Sequence, residues 1–300
     1  MVHSFSHLIR TLAAVIAAIA AVAVSPAQTA PAKKEADDVT APEKSPNFAF
    51  LCLNSNSDPK SDVLKAKLVA WLGLDSPDRL EKFQIGRKRE ATVTTFEVGS
   101  KSVSLARVDT PIPKEDIEYA CANSTRWPQA AEKLASHKSH LNVSVHGKFE
   151  DAVDLALFLS RVVAACTEAY DTAGVYWGHA TIVHSPEFFR EQIKDSNRVD
   201  LPILAWIGFL ESAGKEEGTF DIYSRGLDVF GVMEIEAIGV KGKPAEVAVM
   251  IAELGDHLLK NGNVIKDGHT LGPSESEKKV HIRHAKSVLP REGNVLRIEF

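Results

Sequence analysis

The chain has 300 residues, 44% of them hydrophobic and 25% charged, which is typical of a folded globular protein and is long enough for two modest domains. Its formal net charge of −5 disfavours a nucleic-acid partner, because general nucleic-acid binders usually carry a positive surface. Three cysteines, an odd number, exclude a fold held together mainly by disulfides.

Residues 1–27 have the pattern of a signal peptide. Arg10 precedes the apolar run Leu12–Val24, and small residues then suit cleavage before Gln28. Because the run is shorter than the roughly twenty residues that span a bilayer, we expect an exported protein, periplasmic or secreted, without stable membrane anchoring after cleavage. An uncleaved anchor is the alternative. Residues 28–46 are rich in proline and charge and are expected to form a disordered linker.

Residues 47–138 are predicted to form an N-terminal α+β unit. Local patterns indicate a strand at Asn47–Leu53, a helix at Ser61–Leu72, a hairpin around Gly99 and helical sequence between Pro113 and His137. A strand follows at His140–His146, with Leu141, Val143 and Val145 on one side and Asn142, Ser144 and His146 on the other. This alternation predicts a half-buried strand and completes the order β-α-β-β-α-β.

Residues 139–300 are predicted to form a C-terminal α+β unit around a long central helix. The helix begins near Glu150 and carries a narrow polar stripe of Glu150, Asp154, Arg161 and Glu168, so most of its circumference should be buried. Gly174 is expected to supply a left-handed C-terminal cap. A central strand, Val175–His184, should follow, and Ser185-Pro186 predicts the start of the next helix.

The rest of the chain predicts further strands and one more helix. The segments are strands at Pro202–Leu210, Thr219–Tyr223, Met233–Ile238, Lys279–Arg283 and Val295–Phe300, a helix at Pro244–Asn261 and a hairpin turn at Asp267-Gly268. In the strand at Met233–Ile238, Glu234 and Glu236 should lie on the side that faces solvent. Counting the strand at Leu141 again gives a second β-α-β-β-α-β order, so we predict two tandem ferredoxin-like units with antiparallel or mixed sheets.

Several sequence segments resemble a bacterial family, the domain of unknown function numbered 4261. They lie at Gly174–Phe189, Leu201–Phe209, Tyr223–Glu236 and Asp267–Gly272, and the phrase around Trp177 and Pro186 is the most specific. The resemblance covers roughly residues 139–288. It implies no particular activity.

His184 and Glu187 are the candidate catalytic residues. His184 ends the predicted central strand and Glu187 lies in the first turn of the next helix, where a base or a metal ligand could act. The structural alternative is that His184 packs locally and Glu187 interacts with the helix dipole. The chain has no nucleophile elbow, zinc-protease motif, Gly-rich phosphate loop or paired-cysteine metal motif, so familiar enzymes are disfavoured.

Candidate binding residues are Arg225, Trp177, Trp206 and His269. Arg225 could contact an anion or a carboxylate, with a solvated turn residue as the alternative. The two tryptophans are expected in the core, with an aromatic pair at a groove as the alternative, and His269 should lie on a turn tip. No metal site or cofactor is predicted.

Cys52 and Cys121 fall in a predicted strand and a predicted helix, where free buried thiols are favoured over a bridge between them. Together these observations predict an exported binding or protein-interaction module with an unidentified protein or small-molecule partner. A hydrolase or metal-assisted enzyme using His184 and Glu187 is the alternative.

Overall fold

The computed structural model describes residues 45–88, 91–271 and 280–300. The chain divides into Met1–Glu43 and Lys44–Phe300, and everything below concerns the second unit. The predicted signal peptide and almost all of the predicted linker lie outside the described residues. Within the described part of the chain, no helix combines the length and the apolar character needed to cross a bilayer.

Among the described residues, the first sheet has seven strands. They are β1 (Phe48–Leu53), β2 (Glu81–Lys88), β3 (Ala91–Val98), β4 (Lys101–Val108), β5 (Ser139–Gly147), β6 (Thr172–Trp177) and β7 (Ile182–His184). Their spatial order is β2-β3-β4-β5-β1-β6-β7, and each described neighbouring pair is antiparallel. Strand β1 therefore lies between β5 and β6, which come much later in the sequence.

Within the part of the chain that the structure describes, the second sheet has six strands. They are β8 (Gly208–Ala213), β9 (Phe220–Arg225), β10 (Ile235–Val240), β11 (Thr270–Leu271), β12 (Val280–Lys286) and β13 (Asn294–Glu299), in the order β11-β12-β13-β10-β9-β8. Strands β10 and β13 are parallel, and the other described neighbours are antiparallel.

Seven α-helices lie within the described residues. They are α1 (Ser61–Leu72), α2 (Lys114–Ala122), α3 (Ala130–Leu134), α4 (Ala152–Ala169), α5 (Pro186–Lys194), α6 (Ile203–Trp206) and α7 (Pro244–Asn261). Helix α4 packs on β1, β5 and β6 and against α1 and α5, while α7 packs on β9 and β10 of the second sheet. Helices α2 and α3 contact β7 and β6 respectively. The predicted mixed α+β class is confirmed.

The strand order differs from the predicted pair of ferredoxin-like units. Two tandem ferredoxin-like units would each have a separate sheet, whereas β1–β7, which come from both predicted units, form one sheet in the order β2-β3-β4-β5-β1-β6-β7. Strand β5, which we placed at the start of the C-terminal unit, pairs with β4 and β1 on the N-terminal side of residue 138. Strand β2 was not predicted, because its charged residues and Gly86 obscure the alternation of Phe83 and Ile85.

Helix α4 is buried as predicted, but its end and its polar stripe differ from the prediction. Asp151 caps its first turn by accepting a hydrogen bond from the backbone N–H of Asp154 at 2.9 Å, and Leu159 is fully buried. The helix ends at Ala169 because Tyr170 is already extended, and Gly174 lies inside β6 instead of forming the cap.

Residues of the polar stripe contact neighbouring elements. Asp154 lies 3.5 Å from Lys101, Arg161 donates to the carbonyl of Ser196 at 3.2 Å, and Glu168 pairs with Lys67 at 2.7 Å. The polar residues of the stripe therefore form contacts between α4 and its neighbours, although the sequence predicted only that the stripe is narrow and polar.

Two predicted strands, and the predicted solvent-exposed side of a third strand, differ in the structure. Val175–His184 is a hairpin, because the turn Gly178–Thr181 separates β6 from β7. Pro202–Leu210 begins with the helical turn α6 and becomes a strand only at Gly208. Glu234 and Glu236 are both buried, and each accepts hydrogen bonds from a neighbouring loop or strand.

Candidate functional site

The turn between β6 and β7 has a constrained backbone. Thr181 adopts a positive φ of 54°, which is unusual for a β-branched residue, and its N–H donates to the carbonyl of Trp177 at 3.0 Å. A Cβ atom at Gly178 would lie 2.3 Å from the ring of Phe48. Glycine is therefore required at residue 178, and the turn is held in one shape by its surroundings.

The loop after β9 is held by the buried carboxylate of Glu234. One carboxylate oxygen accepts from the backbone N–H of Gly226 at 2.7 Å and of Leu227 at 3.1 Å, and the Ser224 hydroxyl donates to the other. Arg291 lies 3.8 Å away. Burial raises the pKa of Glu234, while these donors favour its charged form. The carboxylate thus fixes the loop that follows Arg225.

This loop meets the β6–β7 turn. A Cβ atom at Gly226, whose φ is 111°, would lie 3.2 Å from the Cβ of Ala180 and 3.1 Å from the carbonyl of Trp206. The three longest segments of the family resemblance therefore lie next to one another in the fold. They are the segments around Trp177, Trp206 and Gly226. We call this region the junction, defined as residues 178–181, 206 and 225–228.

Two guanidinium groups lie against aromatic rings beside the junction. Arg225 donates to the Tyr119 hydroxyl at 3.0 Å, and its guanidinium carbon is 5.7 Å from the Tyr119 ring centre. The guanidinium of Arg126 lies 5.0 Å from the ring centre of Phe209. Since Gly208 is opposite Arg225 in the β8–β9 pair, both contacts occur at the same end of these strands.

The segment that provides Tyr119 and Arg126 also touches the β6–β7 turn. Asn123 donates to the carbonyl of Thr181 at 3.4 Å. Tyr119 is 47% exposed, so its pair with Arg225 is accessible from solvent. Guanidinium groups supported by aromatic rings can bind carboxylates or phosphates through paired hydrogen bonds.

His184 is buried at the edge of the first sheet. It is 5% exposed, its Nε2 donates to the carbonyl of Ala205 at 3.1 Å, and its ring stacks on Phe188 at 5.3 Å. Burial lowers its pKa to about 4, so the imidazole is neutral near pH 7. Glu187 is exposed and lies 3.3 Å from Arg190. The two candidate catalytic residues therefore contact different residues: His184 contacts Ala205 and Phe188, and Glu187 contacts Arg190.

The two candidate tryptophans are buried. Trp177 packs against Phe189 with ring centres 5.9 Å apart, and the indole N–H of Trp206 donates to Ser160. His269 is exposed and accepts from the backbone N–H of Lys266 at 3.3 Å. The structure therefore places Arg225 and Trp206 in the junction and connects His184 to it through Ala205.

Tyr119 and Arg126 were not singled out from the sequence. Tyr119 lies 106 residues from Arg225 along the chain, so no local pattern signals their contact. Across the described ranges, no group of three or more His, Cys, Asp or Glu side chains could hold a metal ion. Cys52 and Cys121 are free thiols, and burial raises the pKa of Cys121 to about 11.

Comparison with known families identifies one match. The family described as "Domain of unknown function (DUF4261)" matches residues 223–299, from β9 to β13, which confirms the resemblance over this segment. The matched segment contains Glu234 and the loop it holds. No curated protein and no solved structure matches the chain.

Proposed function

We propose that this protein is an exported binding module without catalysis of its own, and that it recognises acidic groups of a protein or small-molecule partner beside the junction. The observation that carries the proposal is the pair of guanidinium–aromatic contacts, Arg225 with Tyr119 and Arg126 with Phe209, at one end of β8 and β9. Aromatic support restricts a guanidinium group before a ligand arrives and so reduces the entropy lost on binding.

The environments of the buried acid–base groups favour binding over catalysis. His184 is neutral and its Nε2 proton is held by Ala205, and the Glu234 carboxylate is occupied by the backbone of its own loop. A general base must reach a substrate proton within hydrogen-bonding distance. These groups instead hold the junction in shape. The acidic chain also favours a partner other than a nucleic acid.

Export rests on the sequence of residues 1–27, with Arg10, the run Leu12–Val24 and small residues before Gln28. The mass of the mature protein, purified after expression in a bacterial host, tests it. We expect a chain that begins at Gln28. An intact Met1 on protein recovered from the cytoplasm would contradict export.

The binding proposal is tested by thermal shift with three anions: inorganic phosphate, succinate and citrate. A ligand that binds only the folded state raises the unfolding midpoint according to its concentration and affinity. We expect at least one of these anions to raise the midpoint, and we expect the increase to disappear in the double variant Arg126→Gln, Arg225→Gln.

Arg79→Gln is the matched control, because Arg79 is exposed and lies away from both contacts, 4.0 Å from Asp75. This variant should retain the full response to the anion. The proposal is contradicted if the double variant still responds to the anion, or if the unchanged protein does not respond at all. Either result would show that the junction is not the binding surface.

A further inference from the structure

Two buried histidines contact the loop that connects β4 to α2. His137 lies in the turn between α3 and β5, and His140 is the second residue of β5. Their side chains are 8% and 7% exposed. Both are hydrogen-bonded to the backbone of residues 110–112, just before α2 begins. We call the two side chains and the backbone groups they bond the histidine clasp; the backbone groups belong to Thr110, Ile112 and Leu134.

The hydrogen bonds of His137 define where its proton lies. The backbone N–H of Ile112 donates to Nε2 of His137 at 2.9 Å, so this nitrogen must offer a lone pair. The other ring nitrogen, Nδ1, lies 2.7 Å from the carbonyl oxygen of Leu134 and donates to it. His137 therefore joins α3 to the loop only as a neutral imidazole with its proton on Nδ1.

His140 contacts the same loop from the first sheet. Its Nδ1 donates to the carbonyl oxygen of Thr110 at 2.7 Å, and its ring lies 6.3 Å from that of Phe50. Burial lowers the pKa of His140, and a positive charge on His137 would lower it further. Since Nδ1 of His140 is already a donor, its bond does not require the neutral form. The two histidines thus differ, because only His137 loses an acceptor when it gains a proton.

The titratable groups around the clasp do not replace that acceptor. Those on the neighbouring segments are Cys52, Asp109, Asp116, Glu132, Lys133 and Lys138. None of them is hydrogen-bonded to either imidazole among the residues that the structure describes. Asp109 is bound by Arg87 and Arg107, and burial raises the pKa of the Cys52 thiol, which keeps it neutral. A protonated His137 therefore has no carboxylate in direct contact.

We propose that the histidine clasp is an acid-sensitive switch, which releases residues 110–112 and the start of α2 when His137 is protonated. A protonated imidazole donates from both nitrogens, so its Nε2–H would face the N–H of Ile112. That backbone N–H, which belongs to a residue only 1% exposed, would be left unpaired. The released segment leads into Tyr119, which contacts Arg225, so acid would loosen the junction from the α2 side.

The test is amide hydrogen exchange of the full mature protein at pH 7.5 and pH 5, corrected for the intrinsic effect of pH on exchange, together with ¹⁵N NMR of the imidazoles. At pH 7.5 we expect His137 in its neutral form with the proton on Nδ1. At pH 5 we expect it to be protonated, with the protection of Ile112 reduced at least about tenfold. Helix α7, on the second sheet, should keep its protection.

Three results would overturn the proposal. The first is a proton on Nε2 of His137 at pH 7.5, and the second is equal protection of Ile112 at the two pH values. The third is a parallel loss of protection in α7, which would indicate general unfolding in place of local release.

His137→Gln separates the switch from other effects of acid. Its side-chain amide can accept from Ile112 and donate to Leu134 but does not titrate, so protection of Ile112 should be the same at both pH values. His146→Gln, at an exposed position near the end of β5, is the matched control and should keep the acid-induced loss. A loss in His137→Gln as large as in the unchanged protein would contradict the switch. If His137→Gln does not fold, the exchange and the imidazole signals of the unchanged protein decide alone. The experiment needs no phosphate, succinate or citrate, so its result is independent of the anion-binding proposal.

Discussion

The indole nitrogen of Trp206 donates a hydrogen bond to the hydroxyl of Ser160 over 2.8 Å, and both side chains are fully buried. Ser160 lies on α4, which packs on the first sheet, whereas Trp206 ends α6 just before the second sheet begins at β8. The Trp206 ring also stacks on Phe230 at 5.4 Å. One side chain therefore ties α4, α6 and the turn after β9 together.

Replacing Ser160 by Ala should destabilise the protein by about 1–3 kcal/mol, because the buried indole N–H would lose its acceptor. Urea unfolding followed by tryptophan fluorescence measures the change. Ser100→Ala, in an exposed turn, serves as the control and should stay within about 0.5 kcal/mol of the unchanged protein. Equal effects of the two changes would show that the Trp206 bond adds nothing to stability.

The fully buried Leu159 on α4 gives a second prediction. Leu159→Ala should cost about 2–5 kcal/mol, the range for opening a cavity in a packed core. Arg161, two residues along, is half-buried and donates one hydrogen bond to Ser196, so Arg161→Ala should cost only about 1 kcal/mol. Urea titration of both variants checks the ranking, and a larger loss for Arg161 would contradict the packing of this helix.

His184 should make stability depend on pH. Its pKa falls from 6.5 to about 4 in the folded state because of burial, so the unfolded chain binds more protons below pH 6.5. The stability that His184 contributes is therefore present above that value and is lost as the pH falls toward about 4. Between about pH 7.5 and about pH 5, the loss should be about 2 kcal/mol.

His184→Gln isolates this effect. Its side-chain amide can still donate to Ala205, but it does not titrate. Urea unfolding at the two pH values should show a smaller pH-dependent loss in this variant, by about 2 kcal/mol. An unchanged pH dependence would mean that the pKa of His184 is the same in the folded and unfolded states.

Gly178 gives the fourth prediction. Gly178→Ala should destabilise by about 1–3 kcal/mol, because the new methyl group would overlap the Phe48 ring at the β6–β7 turn. Gly86→Ala is the control: a Cβ atom there meets nothing within 4 Å, so its effect should be small. Thermal unfolding compares them, and a similarly small effect at both positions would show that Phe48 moves aside without cost.

The sequence predicted the elements whose ends are determined by neighbouring residues. Ser185 caps α5 by accepting from the backbone N–H of Phe188 at 3.2 Å, and α7 spans Pro244–Asn261 as predicted, with proline at its start and glycine after its end. The order of strands could not be predicted in the same way. Pairing of β1 with β5 and β6 depends on side chains far along the chain, and local periodicity does not specify which strands pair.

The candidate site was partly predictable for the same reason. Arg225 and Trp206 were identified by residue type and by the family segments, whereas Tyr119 contacts Arg225, and Arg126 contacts Phe209, only through the tertiary fold. Glu234 was misassigned because alternating polar residues usually face water. Here the carboxylate accepts hydrogen bonds from backbone N–H groups of the loop that precedes it, at Gly226 and Leu227, which a pattern of side chains does not reveal.

The position of β1 between β5 and β6 also determines when the first sheet can form. Strands β2, β3 and β4 can pair with one another as they are synthesised, but β1 has no neighbour in the sheet until residues 139–147 have been made. Pairing β1 with β5 requires the chain between them to close into a loop, and this closure costs conformational entropy before the strand pairing can offset it. This cost slows folding. Strand β1 is thus synthesised 85 residues before its first partner begins, because residues 54–138 separate it from β5.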